Sequence, residues 1–206
     1  MKIGAYYSHL NGLEWMLQNF PELWEEINET IDFVDGEECR TKVSEEKQKK
    51  GEILYSPTAM NAEFKKRLYF HGWEGAQKNK YYITSDSDLT RQMIESDMSL
   101  EEQRRFLEEA NAVGYIGRNE SDFFKERVSI EVQFGKYAFV QYDIFIKHAA
   151  DYMNNRIDLG VEIVPMKSLQ MEMSSGPTNY ERNLHEILRQ GRIFPPVPLI
   201  LIGVEP

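Results

Sequence analysis

The sequence contains a single cysteine, Cys39, among its 206 residues, so no disulfide can form within the chain. One cysteine is typical of a protein in a reducing compartment, and we expect the cytoplasm. The longest apolar run, residues 197–204, is too short to span a bilayer and contains Pro198. The first fifteen residues lack the apolar run of a signal peptide. These absences favour a cytoplasmic protein that is not inserted in a membrane.

Histidine and positive charge are also scarce. The four histidines are scattered along the chain and show none of the spacings of a zinc site. Lysine and arginine total 24 residues against 34 acidic ones, which gives a net charge of −10. This balance argues against loose, non-specific binding to nucleic acid, because such binding depends on many cationic contacts. It leaves open a specific site whose basic residues are concentrated in one cleft.

Hydrophobic periodicity predicts a globular α/β protein. Hydrophobic residues make up 41% of the chain and aromatic residues 12%, and no segment has the composition of a linker, so we expect one domain over residues 1–206. Apolar residues at three- and four-residue steps predict helices at 12–34 with a bend at Pro21, 59–72, 99–113, 142–154, 166–173 and 179–190. Strands are predicted at 81–84, 127–134, 159–164 and 199–202. Strands separated by helices indicate an α/β fold.

Residues 37–51 are dense in charge and have little to bury. The lysines of this segment are Lys42, Lys47, Lys49 and Lys50. Such a run is typical of a solvated loop. The alternative is an arm that follows the phosphates of a nucleic acid.

The segment 122–139 is the centre of the chain's chemistry. From Arg127 to Phe134 apolar and polar residues alternate, which predicts a half-buried strand ending before Gly135. Glu131 and Gln133 then share the water-facing side. If the chain turns back around residues 125 and 126, Asp122 arrives beside them. Two carboxylates, an amide and the Val132 carbonyl would provide oxygen ligands for a hard divalent cation. On spacing alone, an ordinary surface strand explains the same pattern.

The stretch EVQFGKYAF at 131–139 resembles the BstYI and BglII type II restriction endonucleases, and BstYI most closely. The resemblance covers most of the chain, because further segments follow in the family's order: YSHLNGLE (7–14), ECRTK (38–42), ILYSP (53–57), DFFKERVSIEVQFGKY (122–137), VEIVPMK (161–167), EMSSG (172–176) and RQGR (189–192). A long colinear set of this kind is far more specific than any one motif.

This resemblance implies a PD-(D/E)xK nuclease with a mixed central β-sheet flanked by helices. It implies Mg²⁺-dependent hydrolysis of double-stranded DNA at a palindrome containing GATC, by a homodimer. Asp122 and Glu131 match the metal-binding carboxylates, with the Val132 carbonyl as a further ligand, and Gln133 matches the third catalytic position. Lysine is usual there, and glutamine marks the BglII-like subgroup. An amide can orient a water but cannot take its proton, so the general base is left open.

The remaining functional residues follow from the same resemblance. Lys136 and the pair Ser174 and Ser175 are expected to contact bases, and Lys136 favours the target purine-GATC-pyrimidine, RGATCY. A fourth active-site residue is expected from the 99–113 helix, where the candidates are Glu108, Glu109 and Asn111. A DNA methyltransferase would protect the same site in the host without needing to bind the endonuclease. The alternatives are a DNA-binding protein of this fold that no longer cleaves, and a nuclease that recognises DNA structure.

Overall fold

The computed structural model describes residues 1–75, 78–174 and 176–206. Its strands are β1 (Lys2–His9), β2 (Lys42–Val43), β3 (Ile53–Leu54), β4 (Glu74–Gly75), β5 (Lys78–Ile83), β6 (Tyr115–Glu120), β7 (Phe123–Lys125), β8 (Val128–Val132), β9 (Leu159–Pro165) and β10 (Leu199–Glu205). Its α-helices are α1 (Gly12–Asn19), α2 (Pro21–Phe33), α3 (Pro57–Phe70), α4 (Ser87–Glu95), α5 (Leu100–Glu109), α6 (Tyr137–Tyr142), α7 (His148–Met153), α8 (Lys167–Met171) and α9 (Tyr180–Arg189). A π-helical segment, Asp143–Lys147, joins α6 to α7.

The chain forms two compact units, one of Met1–Gly75 with Asp122–Pro206 and one of Ala76–Ser121. The larger unit contains a six-stranded sheet in the order β1-β10-β9-β8-β7-β4. The pairs β8–β9 and β9–β10 are parallel, whereas the other neighbours are antiparallel. This mixed central sheet flanked by helices confirms the predicted fold class.

The sheet of the larger unit is covered on both faces. On one face, α1, α2 and α3 contribute apolar side chains such as Ile27 and Phe64 to a core that also contains Val161 and Ile163 of β9. On the other face, Val140 and the residues of α9 pack against Val164, Leu199 and Leu201. Successive residues of β10 alternate between these two cores, as expected for a strand buried on both sides.

The smaller unit is an antiparallel ribbon with two helices. Strands β5 and β6 pair from Lys78 with Glu120 to Ile83 with Tyr115. Helix α5 begins with a capping box between Ser99 and Glu102, and Gln103 accepts a 2.7 Å hydrogen bond from the Tyr82 amide. No strand was predicted from the sequence at the position of β6. The space beside Gly117 is filled by the Tyr81 ring across the ribbon, where a Cβ atom would lie 2.6 Å away.

Four local predictions need correction. The 12–34 helix is two helices, because Phe20 leaves helical geometry and Pro21 begins α2, a position where its missing amide costs nothing. Residues 2–9, for which no strand was predicted, pair with β10 as the edge strand β1. The helix predicted at 142–154 begins earlier, at Tyr137. Strand β8 is buried along its whole length, and Lys147 of the π-helical segment contacts Glu131 on the face that was predicted to meet water.

Among the described residues, no helix combines the length and the apolar character needed to cross a bilayer.

Candidate active site on the β7–β8 hairpin

A tight hairpin brings Asp122 to Glu131. Strands β7 and β8 pair Phe123 with Ile130 and Lys125 with Val128, which leaves a two-residue loop. Both loop residues, Glu126 and Arg127, have positive φ angles, as a two-residue hairpin turn of type I′ requires. The turn predicted around residues 125 and 126 is therefore confirmed, one residue later in the chain. Extending the strand register by one pair places Asp122 opposite Glu131.

The Arg127 side chain fastens this turn to the chain that enters β9. Its guanidinium donates two hydrogen bonds to the Asp158 carboxylate, at 2.7 and 2.8 Å, and another to the Asn155 carbonyl at 2.9 Å. The two-pronged contact lowers the pKa of Asp158. The hairpin is thus held at its tip as well as along its strands.

Two hydrogen bonds fix the carboxylates of Asp122 and Glu131 relative to each other. The Asp122 amide donates to Glu131 Oε1 at 3.2 Å, and the Val132 amide donates to Asp122 Oδ2 at 3.3 Å. The amide and carbonyl of a residue in an antiparallel pair point to the same neighbouring strand, so we expect the Val132 carbonyl to face Asp122 as well. The three oxygen ligands predicted from the sequence belong to one rigid hairpin.

Glu131 is buried, with only 1% of its surface exposed. Burial raises the pKa of its carboxyl well above the ordinary value, and the Lys147 ammonium opposes that rise. A poorly hydrated carboxylate binds a cation strongly, because few water molecules must leave the carboxylate when the cation binds. This burial was not predicted, because strand alternation could not show that a helix covers the polar face.

A chain of polar side chains continues from Glu131 across that helix. Lys147 Nζ lies 2.8 Å from Glu131 Oε2 and 2.7 Å from Asp143 Oδ1. The Gln133 side chain is hydrogen-bonded to the Asp143 carboxylate, which lowers the pKa of Asp143 against the larger effect of burial. Because this bond favours the charged carboxylate, the Gln133 amide nitrogen is its donor.

A second acid lies on the neighbouring strand. Glu162 of β9 is in register with Glu131 and points to the same face of the sheet. It is fully buried, and its carboxylate lies 3.6 Å from His148 Nε2. Burial raises the pKa of Glu162 well above its ordinary value and lowers that of His148 to about 3. Burial therefore disfavours the charged form of both side chains.

The two segments predicted to read bases are neighbours in the structure. Lys136 is exposed and precedes α6 as its N-cap residue. The next amide, that of Tyr137, donates a 2.9 Å hydrogen bond to the Gly176 carbonyl, which joins the two segments. Ser174 lies on the loop before Gly176 but is buried, and its hydroxyl accepts a 2.6 Å hydrogen bond from Lys42 Nζ. Ser175 lies outside the described residues.

The charged segment 37–51 holds that loop in place. Arg40 forms a 2.8 Å ion pair with Glu172, and Lys49 Nζ donates to the carbonyls of Met171 and Met173, the latter at 3.2 Å. Strands β2 and β3 close the segment into a short ribbon. Most of the segment is exposed, as predicted for a solvated loop, and these contacts anchor it to the 171–176 loop. Lys42, which the sequence singled out only as one lysine of that segment, touches a predicted base-reading residue.

The oxygen atoms of the candidate site fit a hard divalent cation that also binds the substrate of the protein. Among the residues that the structure describes, no three His, Cys, Asp or Glu side chains are arranged to hold a metal ion on their own. Mg²⁺ typically binds through one or two carboxylates and completes its shell with waters and substrate phosphates. Asp122, Glu131 and the Val132 carbonyl match that pattern.

Comparison with solved structures identifies the fold. The chain is similar over its whole length to the crystal structure of restriction endonuclease BglII complexed with a DNA 16-mer, with a TM-score of 0.68, 20% sequence identity and 79% of that chain covered. Free BglII gives a TM-score of 0.59 at 19% identity, with 100% of this chain and 80% of that one covered. The fold is thus that of a restriction endonuclease.

The sequence identifies the family within that class. Residues 5–204 match the profile of the family described as restriction endonuclease BglII/BglIII. The chain therefore belongs to this family of type II restriction endonucleases, which are site-specific deoxyribonucleases and typically depend on a divalent metal. No curated protein shows a significant sequence match to the chain.

Sequence reasoning missed Asp143 and Lys147. Both were treated as ordinary positions of the predicted 142–154 helix, since only packing on β8 brings them to Glu131. Glu108, Glu109 and Asn111, the candidates for a fourth residue, lie at the end of α5 and just beyond it in the smaller unit. Their part in the site stays a prediction.

Proposed function

We propose that this endonuclease hydrolyses phosphodiester bonds of double-stranded DNA with Mg²⁺, at a palindrome containing GATC. The observation that carries the proposal is the pairing of Asp122 with Glu131 on the β7–β8 hairpin. An intact pair of carboxylates supports a cleaving enzyme over a protein of this fold that only binds. The colinear family match over residues 5–204 supports a sequence-specific enzyme over one that recognises DNA structure.

In this proposal Asp122, Glu131 and the Val132 carbonyl hold the cation. Bound Mg²⁺ polarises the scissile phosphate and neutralises the negative charge that develops as the bond breaks. The hairpin keeps both carboxylates aimed at one place, so little reorganisation is needed when DNA arrives. Gln133, fastened through Asp143, orients the attacking water with its amide oxygen. The general base is not assigned to Gln133, because an amide has no proton-accepting group at neutral pH.

The proposed target is RGATCY, as in the BstYI-like branch of the family. Lys136 is exposed beside the 171–176 loop, which supports its role at the outer base pair. Lysine offers only donors, and N7 is an acceptor on both purines, so lysine tolerates adenine and guanine alike. Ser174 takes part through Lys42, because the Ser174 hydroxyl accepts a hydrogen bond from the Lys42 ammonium. Ser175 is proposed as a second polar contact on the same loop.

The proposed active form is a homodimer, since a palindrome presents the same half-site twice. Exposed apolar side chains follow one stripe of α6, the π-helical segment and α7: Phe139 is 55% exposed, Ile146 54% and Met153 70%. A stripe of this kind is typical of a surface that a partner covers. Ala150 of α7 is exposed and belongs to the proposed contact, whereas Ala149 is buried and packs with Ile157 and Val197.

Digestion of phage DNA in the presence of Mg²⁺ tests the proposal against its alternatives. A restriction endonuclease gives discrete fragments whose ends map to GATC sites. A binding protein without activity gives no cutting, and a structure-specific nuclease cuts only branched or damaged substrates. Substrate DNA that carries a methylated GATC site serves as a control, because a cognate methyltransferase would protect the same sequence.

A further inference from the structure

A lysine reaches the candidate metal site from a helix and not from the catalytic strand. Gln133 occupies the third catalytic position and carries no charge. The ammonium of Lys147 lies between the Glu131 and Asp143 carboxylates, 2.8 Å from one and 2.7 Å from the other. Only 5% of Lys147 is exposed. A buried lysine of this kind is retained only where its charge is matched.

The π-helical segment places this lysine. The His148 amide bonds to the Asp143 carbonyl, a step of five residues where an α-helix has four. The wider turn presents Asp143 and Lys147 to β8 together, and both are buried. Single π-helical turns are rare and occur frequently at functional sites. The helix is therefore irregular at the place where its side chains meet the metal-binding strand.

The formal charges of the site match one divalent cation only when Lys147 is counted. Asp122, Glu131 and Asp143 contribute three negative charges and Lys147 one positive charge, so the group carries a net charge of about −2 when ionised. This sum leaves out Glu162 of β9, where burial disfavours the ionised carboxylate by raising its pKa. Without Lys147, the same pocket would bring three carboxylates together with no cation to balance them, which is strongly unfavourable at low hydration.

We propose that Lys147 is a positioning residue of the metal site, which holds Glu131 and Asp143 in place and supplies the positive charge that Gln133 does not. It acts through these carboxylates and, by way of Asp143, on the Gln133 amide. The proposal deepens the proposed function, since it rests on Asp122 and Glu131 holding the cation. It assigns to Lys147 no contact with DNA.

The test compares Lys147→Met with Lys125→Met. Methionine keeps the length of lysine and removes its charge. Lys125 is a matched control, because it is also a partly buried lysine in an ion pair, with Glu26 at 2.7 Å, and that pair involves neither carboxylate of the metal site. Each protein is heated without DNA, in EDTA and in Mg²⁺, and its cleavage rate is measured at saturating Mg²⁺.

Both variants should melt at a lower temperature than the wild type in EDTA. In Lys147→Met no lysine charge balances the three carboxylates. Bound Mg²⁺ should then neutralise them and raise Tm by more than it does in the wild type. In Lys125→Met the Mg²⁺-induced rise should equal that of the wild type. Cleavage by Lys147→Met should fall between about ten- and a hundredfold, the usual effect of losing a residue that orients metal ligands. Lys147→Arg, which keeps the charge, should return the Mg²⁺-induced rise to the wild-type value.

Two results would overturn the assignment of Lys147. One is cleavage by Lys147→Met at the wild-type rate. The other is reduced cleavage with an unchanged Mg²⁺-induced rise in Tm, which would mean that Lys147 serves the fold and not the metal site. Absence of both cleavage and a Mg²⁺-induced rise in the wild-type protein would instead contradict the proposed function, and the inference with it.

Discussion

The Asp122 amide donates a 3.2 Å hydrogen bond to the Glu131 carboxylate, while the Asp122 carboxylate accepts one from the amide that follows Glu131. Each acid is therefore held by the backbone beside the other. Two like charges at this separation repel, and the hairpin resists that repulsion because its turn and strands are fixed independently. If the pair holds a cation, as proposed, binding of that cation removes the repulsion.

Substitution of the exposed residue Lys136 tests base recognition. Lys136→Asn should shift cleavage toward AGATCT, since asparagine can donate to N7 and accept from N6 of adenine in a bidentate pair. The expected discrimination between adenine and guanine is about 1 to 3 kcal/mol if that pair forms. The measurement is the cleavage rate on duplexes that differ only in the outer base pair.

Wild-type protein should cut all RGATCY duplexes at comparable rates. Lys167→Asn, at an exposed lysine outside the predicted DNA contacts, is the control and should leave this profile unchanged. A wild-type enzyme that cuts only AGATCT, or that cuts sites without GATC, would show that the role given to Lys136 is wrong.

The exposed stripe on α6 and α7 predicts how subunits associate. Ile146→Asp places a charge in the centre of the stripe and should convert the dimer to a monomer, because an unpaired buried charge is costly at an apolar interface. Light scattering in solution measures the mass of each species. Ile94→Asp, at an exposed residue of α4, is the control and should leave the mass unchanged. A wild-type monomer, both free and on DNA, would contradict the dimer.

The buried acid Glu162 predicts a pH-dependent stability. Its raised pKa means that the folded protein holds the proton more tightly than the unfolded chain does. The resulting stabilisation is complete below the unfolded pKa, about 4.3. It is lost as pH rises through the folded pKa. Glu162→Gln cannot lose a proton, so its Tm should exceed that of the wild type at pH 8 by an amount that shrinks toward pH 4.

Thermal denaturation at the two pH values, in EDTA, measures this difference. Each unit of pKa shift corresponds to about 1.4 kcal/mol of unfolding free energy. Glu108→Gln, at an exposed carboxylate of α5, is the control and should show no comparable pH-dependent gain. A Tm for Glu162→Gln below that of the wild type at pH 8 would show that the buried acid is ionised and needed in that form.

The proximity of the candidate site residues could be predicted because they are local in sequence. Asp122, Glu131 and Gln133 lie within twelve residues, and strand alternation with one turn is enough to bring them together. Lys147 could not be found in this way, since its contact with Glu131 depends on how a helix packs on β8. The burial of Ser174 is equally non-local, because it follows from Lys42, a residue 132 positions away in the chain.

In the fold, too, features that depend on local sequence could be predicted and features that depend on distant contacts could not. The β10 strand was predicted from its apolar run, and the helices from their period, because each pattern reports the element's own burial. Strand β1 was missed, since this edge strand is only partly buried and its sequence, KIGAYYSH, shows little hydrophobic pattern. The sheet order depends on contacts between distant segments, and the sequence pattern alone does not specify it.

The most direct test of the metal-dependent site is a paired measurement of cleavage and binding for Asp122→Ala and Glu131→Ala on a duplex containing one RGATCY site. Both variants should lose cleavage by about a thousandfold or more in Mg²⁺, because a bound metal supplies several kcal/mol of transition-state stabilisation. Both should still bind the duplex, and binding without Mg²⁺ should be as tight as that of the wild type or tighter, since a charge that repels phosphate is gone. Cleavage by either variant at near the wild-type rate would contradict the assignment of the site.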